Sequence, residues 1–180
     1  MSHPLKSITP FQLGLVVKDI DAAVKEHSEV YGIKRWYRTN IDRFDYYYKG
    51  KKRLLVLDIV VGYTGGTQIE LIQVLEGEDN AYVELLLKEN LPHNGVCVRN
   101  FERKFEQLKA LGYPELHHGT IYLKGLSKIR VAYFDTRESL GYILEIIEVK
   151  TLGINIGMPE FMVAAARLTG DSKRYKPIHH

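Results

Sequence analysis

Apolar and polar positions alternate along Gln12, Leu13, Gly14, Leu15, Val16 and Val17, with the period of two that marks a strand. A helix signal follows. Asp19 is placed to cap, and Ile20, Val24, Val30 and Tyr31 make an apolar stripe that runs to Gly32, placed to end the helix in a left-handed conformation. The same signals return 81 residues later: His93, Asn94, Gly95, Val96, Cys97 and Val98 alternate, Asn100 is placed to cap, and Phe101, Phe105, Leu108 and Leu111 lead to Gly112. Laid over each other, the copies match Gly14 to Gly95, Lys18 to Arg99 and Asp19 to Asn100. Beyond each helix lie runs rich in aromatic and β-branched residues. These are 35–39, 52–61 and, after the turn Thr64-Gly65-Gly66, 68–74 in the first copy, and 118–123, 129–134 and 142–149 in the second. The last strand of each copy carries Gly-x-x-x-Glu, from Gly66 to Glu70 and from Gly141 to Glu145.

The pattern predicts an α+β fold made of two βαβββ repeats. It divides the chain into an N-terminal extension (1–9), a first module (10–75), a linker with a short helix around Tyr82 to Leu87 (76–91), a second module (92–149) and a C-terminal helical extension and tail (150–180). Side chains alternate faces along a strand, so Gln12 shares a face with Gly14 and Val16 while Leu13, Leu15 and Val17 face the helix. The same logic sets Ile69, Leu71, Leu144 and Ile146 against the helices and turns Glu70 and Glu145 the other way. A carboxylate on a covered sheet face is costly unless paired or metal-bound. Gln12 and Glu70 lie 58 positions apart and His93 and Glu145 52, so the repeats offer equivalent pairs. If first and last strands run side by side, Gln12, Glu70, His93 and Glu145 meet as an open oxygen and nitrogen site for one divalent ion. Such donors suit zinc first, with manganese, iron, cobalt or nickel as alternatives.

The chain has 180 residues, 45% hydrophobic and 26% charged, which fits one ordinary globular domain. A formal charge of +3 with interspersed signs argues against nucleic acid. No apolar run reaches membrane-spanning length and residues 1–10 lack a secretory pattern, so a cytoplasmic protein with a small-molecule substrate is expected. The single cysteine, Cys97, reads as a small core hydrophobe. His179 and His180 close a polar tail and are set aside from ligand counting. His117 and His118 are neighbours in a strand and point opposite ways, so they cannot chelate one ion together. Tyr46, Tyr47 and Tyr48 read as either an aromatic wall for a flat substrate or a solvent-tolerant strand. Gly65 and Gly66 precede no helix and no Gly-Lys-Ser/Thr, so they are not a phosphate loop. The apolar stretch from Ile154 to Ala166 needs covering, by the chain's own pocket or by a partner, and a homodimer is expected.

The doubled layout, the signature Gln12-x-Gly-x-Val-Val-x-Asp, its echo at His93 and the two Gly-x-x-x-Glu endings resemble the vicinal oxygen chelate superfamily over residues 10–149. This is the glyoxalase, bleomycin-resistance and dioxygenase type of fold. The resemblance implies a glyoxalase-like lyase or isomerase in which a metal-linked glutamate moves a proton beside two substrate oxygens, with Glu145 as the base and Glu70 second. Val16 stands where similar glyoxalases hold glutathione with arginine, and the segment before His93 lacks the epimerase entry motif, so neither glutathione nor coenzyme A is implied. Two alternatives stay open: an iron-dependent extradiol-type dioxygenase using Gln12, His93 and Glu145, and a metal-free ligand-sequestering protein.

Overall fold

A computed structural model describes residues 3–176, so His179 and His180 lie outside the described residues. In chain order the elements begin with β1 (Gln12–Val16), α1 (Ile20–Tyr31), β2 (Trp36–Thr39), β3 (Ile41–Tyr48), β4 (Lys51–Arg53), β5 (Val56–Thr64) and β6 (Thr67–Glu76). A π-helical turn (Tyr82–Leu87) leads to β7 (His93–Cys97), α2 (Phe101–Ala110), β8 (Glu115–Leu123), β9 (Ser127–Thr136), α3 (Arg137–Leu140) and β10 (Tyr142–Thr151). The chain closes with β11 (Ile154–Asn155), α4 (Glu160–Thr169) and β12 (Ser172–Arg174).

The strands form one mixed sheet in the order β12-β2-β5-β6-β1-β7-β10-β9-β8-β3-β4, with β11 joined to β10 off this path. Each repeat builds the same pattern. β1 pairs in parallel with β6, which continues antiparallel to β5 and then β2. β7 pairs in parallel with β10, which continues to β9 and β8. β1 and β7 run antiparallel at the centre and join the halves. The hairpin β3–β4 breaks the symmetry, because β3 leaves the first half and pairs with β8 of the second. The single strand expected over 52–61 is accordingly interrupted at Leu54 and Leu55, and its start belongs to that hairpin. Phe44 and Tyr46 of β3 share a cluster with Leu57 and Val61 of β5, so the sheet curls into a half-barrel with one concave interior.

The two helices sit on the convex face. α1 buries Ile20 and Val24 with Val60, Ile69 and Leu71, and α2 buries Phe101, Phe105 and Leu108 with Phe134, Leu144 and Ile146. Asp19 caps α1 through its carboxylate, which accepts from the Ala22 N–H at 2.9 Å, and Gly32 ends it at φ +66°. Asn100 does not cap α2. Its backbone is left-handed, its side chain makes no capping bond, and the buried Glu148 carboxylate accepts from Phe101 N–H instead at 3.4 Å. The helix stripes are also shorter than the pattern implied, since Val30, Tyr31 and Leu111 are exposed. Past Val24, Ile33 and Trp36 fill the space under α1, with Trp36 Nε1 donating to Ser28 Oγ at 2.9 Å.

The C-terminal extension folds back on its own chain. Ile156, Met158, Val163 and Ala164 pack against the concave cluster, while Phe161 and Leu168 point to solvent. Among the described residues no helix is long and apolar enough to cross a membrane.

β1 and β7 approach closely, with Gly14 opposite His93 and Gly95 opposite Gln12. A Cβ on Gly14 would fall within the His93 imidazole, and one on Gly95 would overlap the Gln12 amide oxygen. Gly14→Ala should therefore force the imidazole out of place and cost about 1–3 kcal/mol, the usual scale of overpacking. Urea denaturation of the metal-free protein would read this as a lower midpoint at unchanged slope; an unchanged midpoint would mean the two strands do not meet this closely.

Candidate metal centre

One lateral row of the concave face carries most of the polar chemistry. Successive strand pairings place Tyr63 beside Gln68, Gln68 beside Gln12, Gln12 beside Gly95, Gly95 beside Glu145, Glu145 beside Tyr133, and Tyr133 beside His117. Directly paired residues share a face, so the row points into the half-barrel. The next row brings Glu70, Gly14 and His93 together. Glu70 and Glu145 each lie beside a glycine of the central strands, so all four side chains expected to meet converge on the room those glycines leave.

The geometry follows from this register. His93 Nε2 lies 3.2 Å from a Glu70 oxygen, 3.4 Å from a Glu145 oxygen and 3.4 Å from the Tyr133 hydroxyl. Ligating atoms of Glu70, His93 and Glu145 all lie within 4.8 Å of one another, and all three residues are buried. Gln12 is oriented by a chain of bonds that ends on a pure acceptor. The Tyr63 hydroxyl donates to the Met158 carbonyl at 3.0 Å, so its oxygen accepts from Gln68 Nε2 at 2.5 Å, and Gln68 Oε1 accepts from Gln12 Nε2 at 2.7 Å. This leaves Gln12 Oε1 as a buried acceptor with no partner, and one Glu145 oxygen is likewise without a hydrogen bond. Gln12, Glu70 and Glu145 line one chamber of about 20 Å³, the space of a single water or ion. The cluster of two carboxylates and an imidazole, with a spare amide oxygen on the wall of the adjoining chamber, fits a divalent ion.

Burial first, and the charge of Glu70 second, pushes the Glu145 carboxyl well above the ordinary carboxylate range. The Tyr133 and Tyr82 hydroxyls are raised well above the usual tyrosine value, again chiefly by burial.

Several neighbours of the centre were not legible in the sequence. His117 and His118 do point opposite ways. His118 is on the outside, stacked on Tyr47 at 5.0 Å, whereas His117 is wholly buried beside the centre. Tyr133 stacks on His117 at 4.1 Å, with Tyr82 at 4.7 Å and Tyr46 at 5.3 Å completing an aromatic box. Burial holds the His117 imidazole well below its ordinary pKa, so it packs as a neutral ring. The tyrosine run is thus split: Tyr46 is fully buried in this box and Tyr47 is exposed. Tyr82 enters from the π-helical turn, a device that recurs at functional sites. Gln68 was detectable in principle, since it lies two residues before Glu70 and so on its face.

Cys97 is a correction. It lies in β7 as expected but is only half-buried, and it lines an outer cavity of about 670 Å³ together with Phe11, Tyr63, Gly65, Gly66 and Met158. Burial pushes its thiol up to about 11. Met158 lines both this outer cavity and the inner chamber and separates them.

Residues 11–133 match the family model of the glyoxalase/bleomycin resistance protein/dioxygenase superfamily, and the chain belongs to that superfamily. No curated protein matches the chain. Among solved structures, a hypothetical protein from Bacillus halodurans C-125 is similar at a TM-score of 0.55 and 16% identity, over 78% of this chain and 94% of that one. This likeness shows the fold. A methylmalonyl-CoA epimerase from Mycobacterium tuberculosis matches at a TM-score of 0.48 and 15% identity, over 78% of this chain and 87% of its own. A 4-hydroxymandelate synthase mutant from Streptomyces coelicolor matches at 0.49 and 9%, over 91% of this chain and 52% of its own.

The raised Glu145 pKa carries a stability consequence with a definite sign. A carboxyl that is harder to ionise folded than unfolded favours the fold below its unfolded value, near 4.5, and progressively loses that contribution as pH rises toward its folded value. Between about pH 5 and 8, metal-free Glu145→Gln should gain stability relative to metal-free wild type. Denaturant titrations at several pH values would measure the difference; a difference that stays flat would remove Glu145 as a buried, ionisation-resistant acid.

Proposed function

We propose that this protein is a metal-dependent enzyme of the vicinal oxygen chelate type, in which Gln12, Glu70, His93 and Glu145 hold one divalent ion, zinc first. The reaction is a glyoxalase-like proton transfer on a small substrate with two adjacent oxygens. The observation that carries this reading is the buried cluster of Glu70, His93 and Glu145, with the partnerless Gln12 oxygen belonging to a side chain that lines the same chamber as the two carboxylates. A bound ion would act as a Lewis acid toward the negative charge that develops on a substrate oxygen as the neighbouring carbon loses its proton.

The chain's own residues divide the remaining work. Glu145 takes the proton, because burial first and the charge of Glu70 second push its carboxyl well above the ordinary carboxylate range, which suits a base. Tyr133 stands directly opposite Glu145 across β9 and β10, and its ring walls the carboxylate on that side. The Gln12, Gln68, Tyr63 and Met158 chain holds the amide oxygen toward the ion. Met158, Tyr82 and Ile147 line the chamber and limit water. The dioxygenase alternative is disfavoured by donor chemistry: the four converging side chains include one imidazole, where a facial iron site takes two. A metal-free sequestering protein would have no use for two carboxylates buried together. The exposed Phe161 and Leu168 on α4 and Ile154 on β11 support the homodimer reading.

His93→Ala should lose most of its affinity for zinc in a calorimetric titration, whereas Glu145→Gln keeps an oxygen donor and should still bind. The Gln variant should nevertheless lose roughly two to four orders of magnitude in solvent deuterium exchange at the carbon beside the carbonyl of an α-hydroxycarbonyl substrate. Full exchange by that variant would pass the base role to Glu70, and oxygen consumption with a catechol would replace the reading altogether. Light scattering at micromolar concentration should return a dimer mass, and a monomer mass would remove the assembly claim.

A further inference from the structure

The outer cavity does not end at Cys97. A second cavity of about 450 Å³ lies against it, sharing Ile8 and Cys97 as lining residues and otherwise walled by Arg99, Asn100, Arg103 and Lys104. Three cations and no carboxylate therefore face this space. Arg99 and Arg103 are exposed and have no ion-pair partner among the described residues, while Lys104 is tied by its ammonium to the Pro4 carbonyl. The nearby start of α2 is not what would attract an anion. The Phe101 N–H donates to Glu148, whose other oxygen is paired with Lys150 at 2.9 Å. Recognition would fall to the two guanidinium groups, whose planar forks match phosphate oxygens. The outer cavity differs in character. Phe11, Met158 and Pro159 give it an apolar lining, and its one carboxylate, Glu160, is held by Arg35 at 3.2 Å.

We propose that the two cavities form one groove for an extended substrate with a phosphate or diphosphate at the end remote from its reacting oxygens, bound there by Arg99 and Arg103. This rests on the metal-enzyme reading for which end of the substrate reacts. The span sets the substrate's size. His93 and Cys97 lie on the same face of β7, four residues apart, which is about 13 Å along a strand. The phosphate lies further out still, so a compact three- or four-carbon phosphate cannot reach both ends. The middle of the substrate would lie along Cys97 and Met158, and its reacting end would reach past Met158 to the mouth of the inner chamber, which itself has room for the ion alone.

Calorimetric binding of inorganic pyrophosphate and of geranyl diphosphate, an apolar chain bearing a diphosphate, tests both halves of the claim on the full chain. Wild type should bind both, with the chain adding at least about ten-fold because it leaves water for the outer cavity. Arg99→Ala with Arg103→Ala should weaken both probes by about ten-fold or more, and both variants replace exposed side chains, so folding is not at stake. His93→Ala should leave binding of both unchanged. Equal binding by the arginine variant, or binding lost with His93→Ala through direct chelation of the ion, would overturn the proposal. Equal affinity for the two probes would overturn the single groove. Arginine-dependent binding in a protein that takes up no zinc would keep the groove and discard the metal-enzyme reading.

Discussion

The side chains of the centre can meet because β1 and β7 approach each other with a glycine opposite each large polar residue. In an antiparallel pair, directly opposed Cβ atoms stand only about 4.5–5.5 Å apart, which is too close for an inward imidazole to lean over an ordinary neighbour. Gly14 removes the obstruction for His93, and Gly95 removes it for Gln12. Parallel pairing then sets Glu70 beside Gly14 and Glu145 beside Gly95. The same exchange of bulk for space is made twice, once per repeat. A one-residue slip between β1 and β7 would turn the row to the helices and bury Leu13 or Asn94 in its place.

Holding that row inside a protein carries a cost that the surroundings offset in two ways. Toward the first half, hydrogen bonds pass from Gln12 to Gln68, Tyr63 and Met158, so each amide has one allowed orientation. Toward the second half, Tyr133, His117, Tyr82 and Tyr46 form an aromatic box, and burial first with the charge of Glu70 second holds the Glu145 carboxyl well above the ordinary carboxylate range. The halves are alike in backbone and unlike in chemistry: one wall orients a neutral donor and the other raises the basicity of an acid. The C-terminal extension ties the asymmetry together, since Met158 ends the hydrogen-bond chain and also divides the inner chamber from the outer cavity.

Much of this was legible along the chain because repeats and strand alternation are local properties. The period of two assigned Leu13, Leu15, Ile69, Leu71, Leu144 and Ile146 to the helices, and those residues lie in the helix-facing clusters. The matching offsets nominated Gln12, Glu70, His93 and Glu145 together, since equivalent positions in paired repeats come to equivalent places in space. What the sequence could not reveal depends on pairing across long separations. That β3 crosses to β8, that Glu148 rather than Asn100 receives the first N–H of α2, and that His117 is the inward member of its pair all depend on which strand lies alongside. Cys97 shows the limit most plainly: an apolar alternation places it in a strand, but only the curl of the sheet and the return of Met158 decide that its side chain faces a cavity rather than the core.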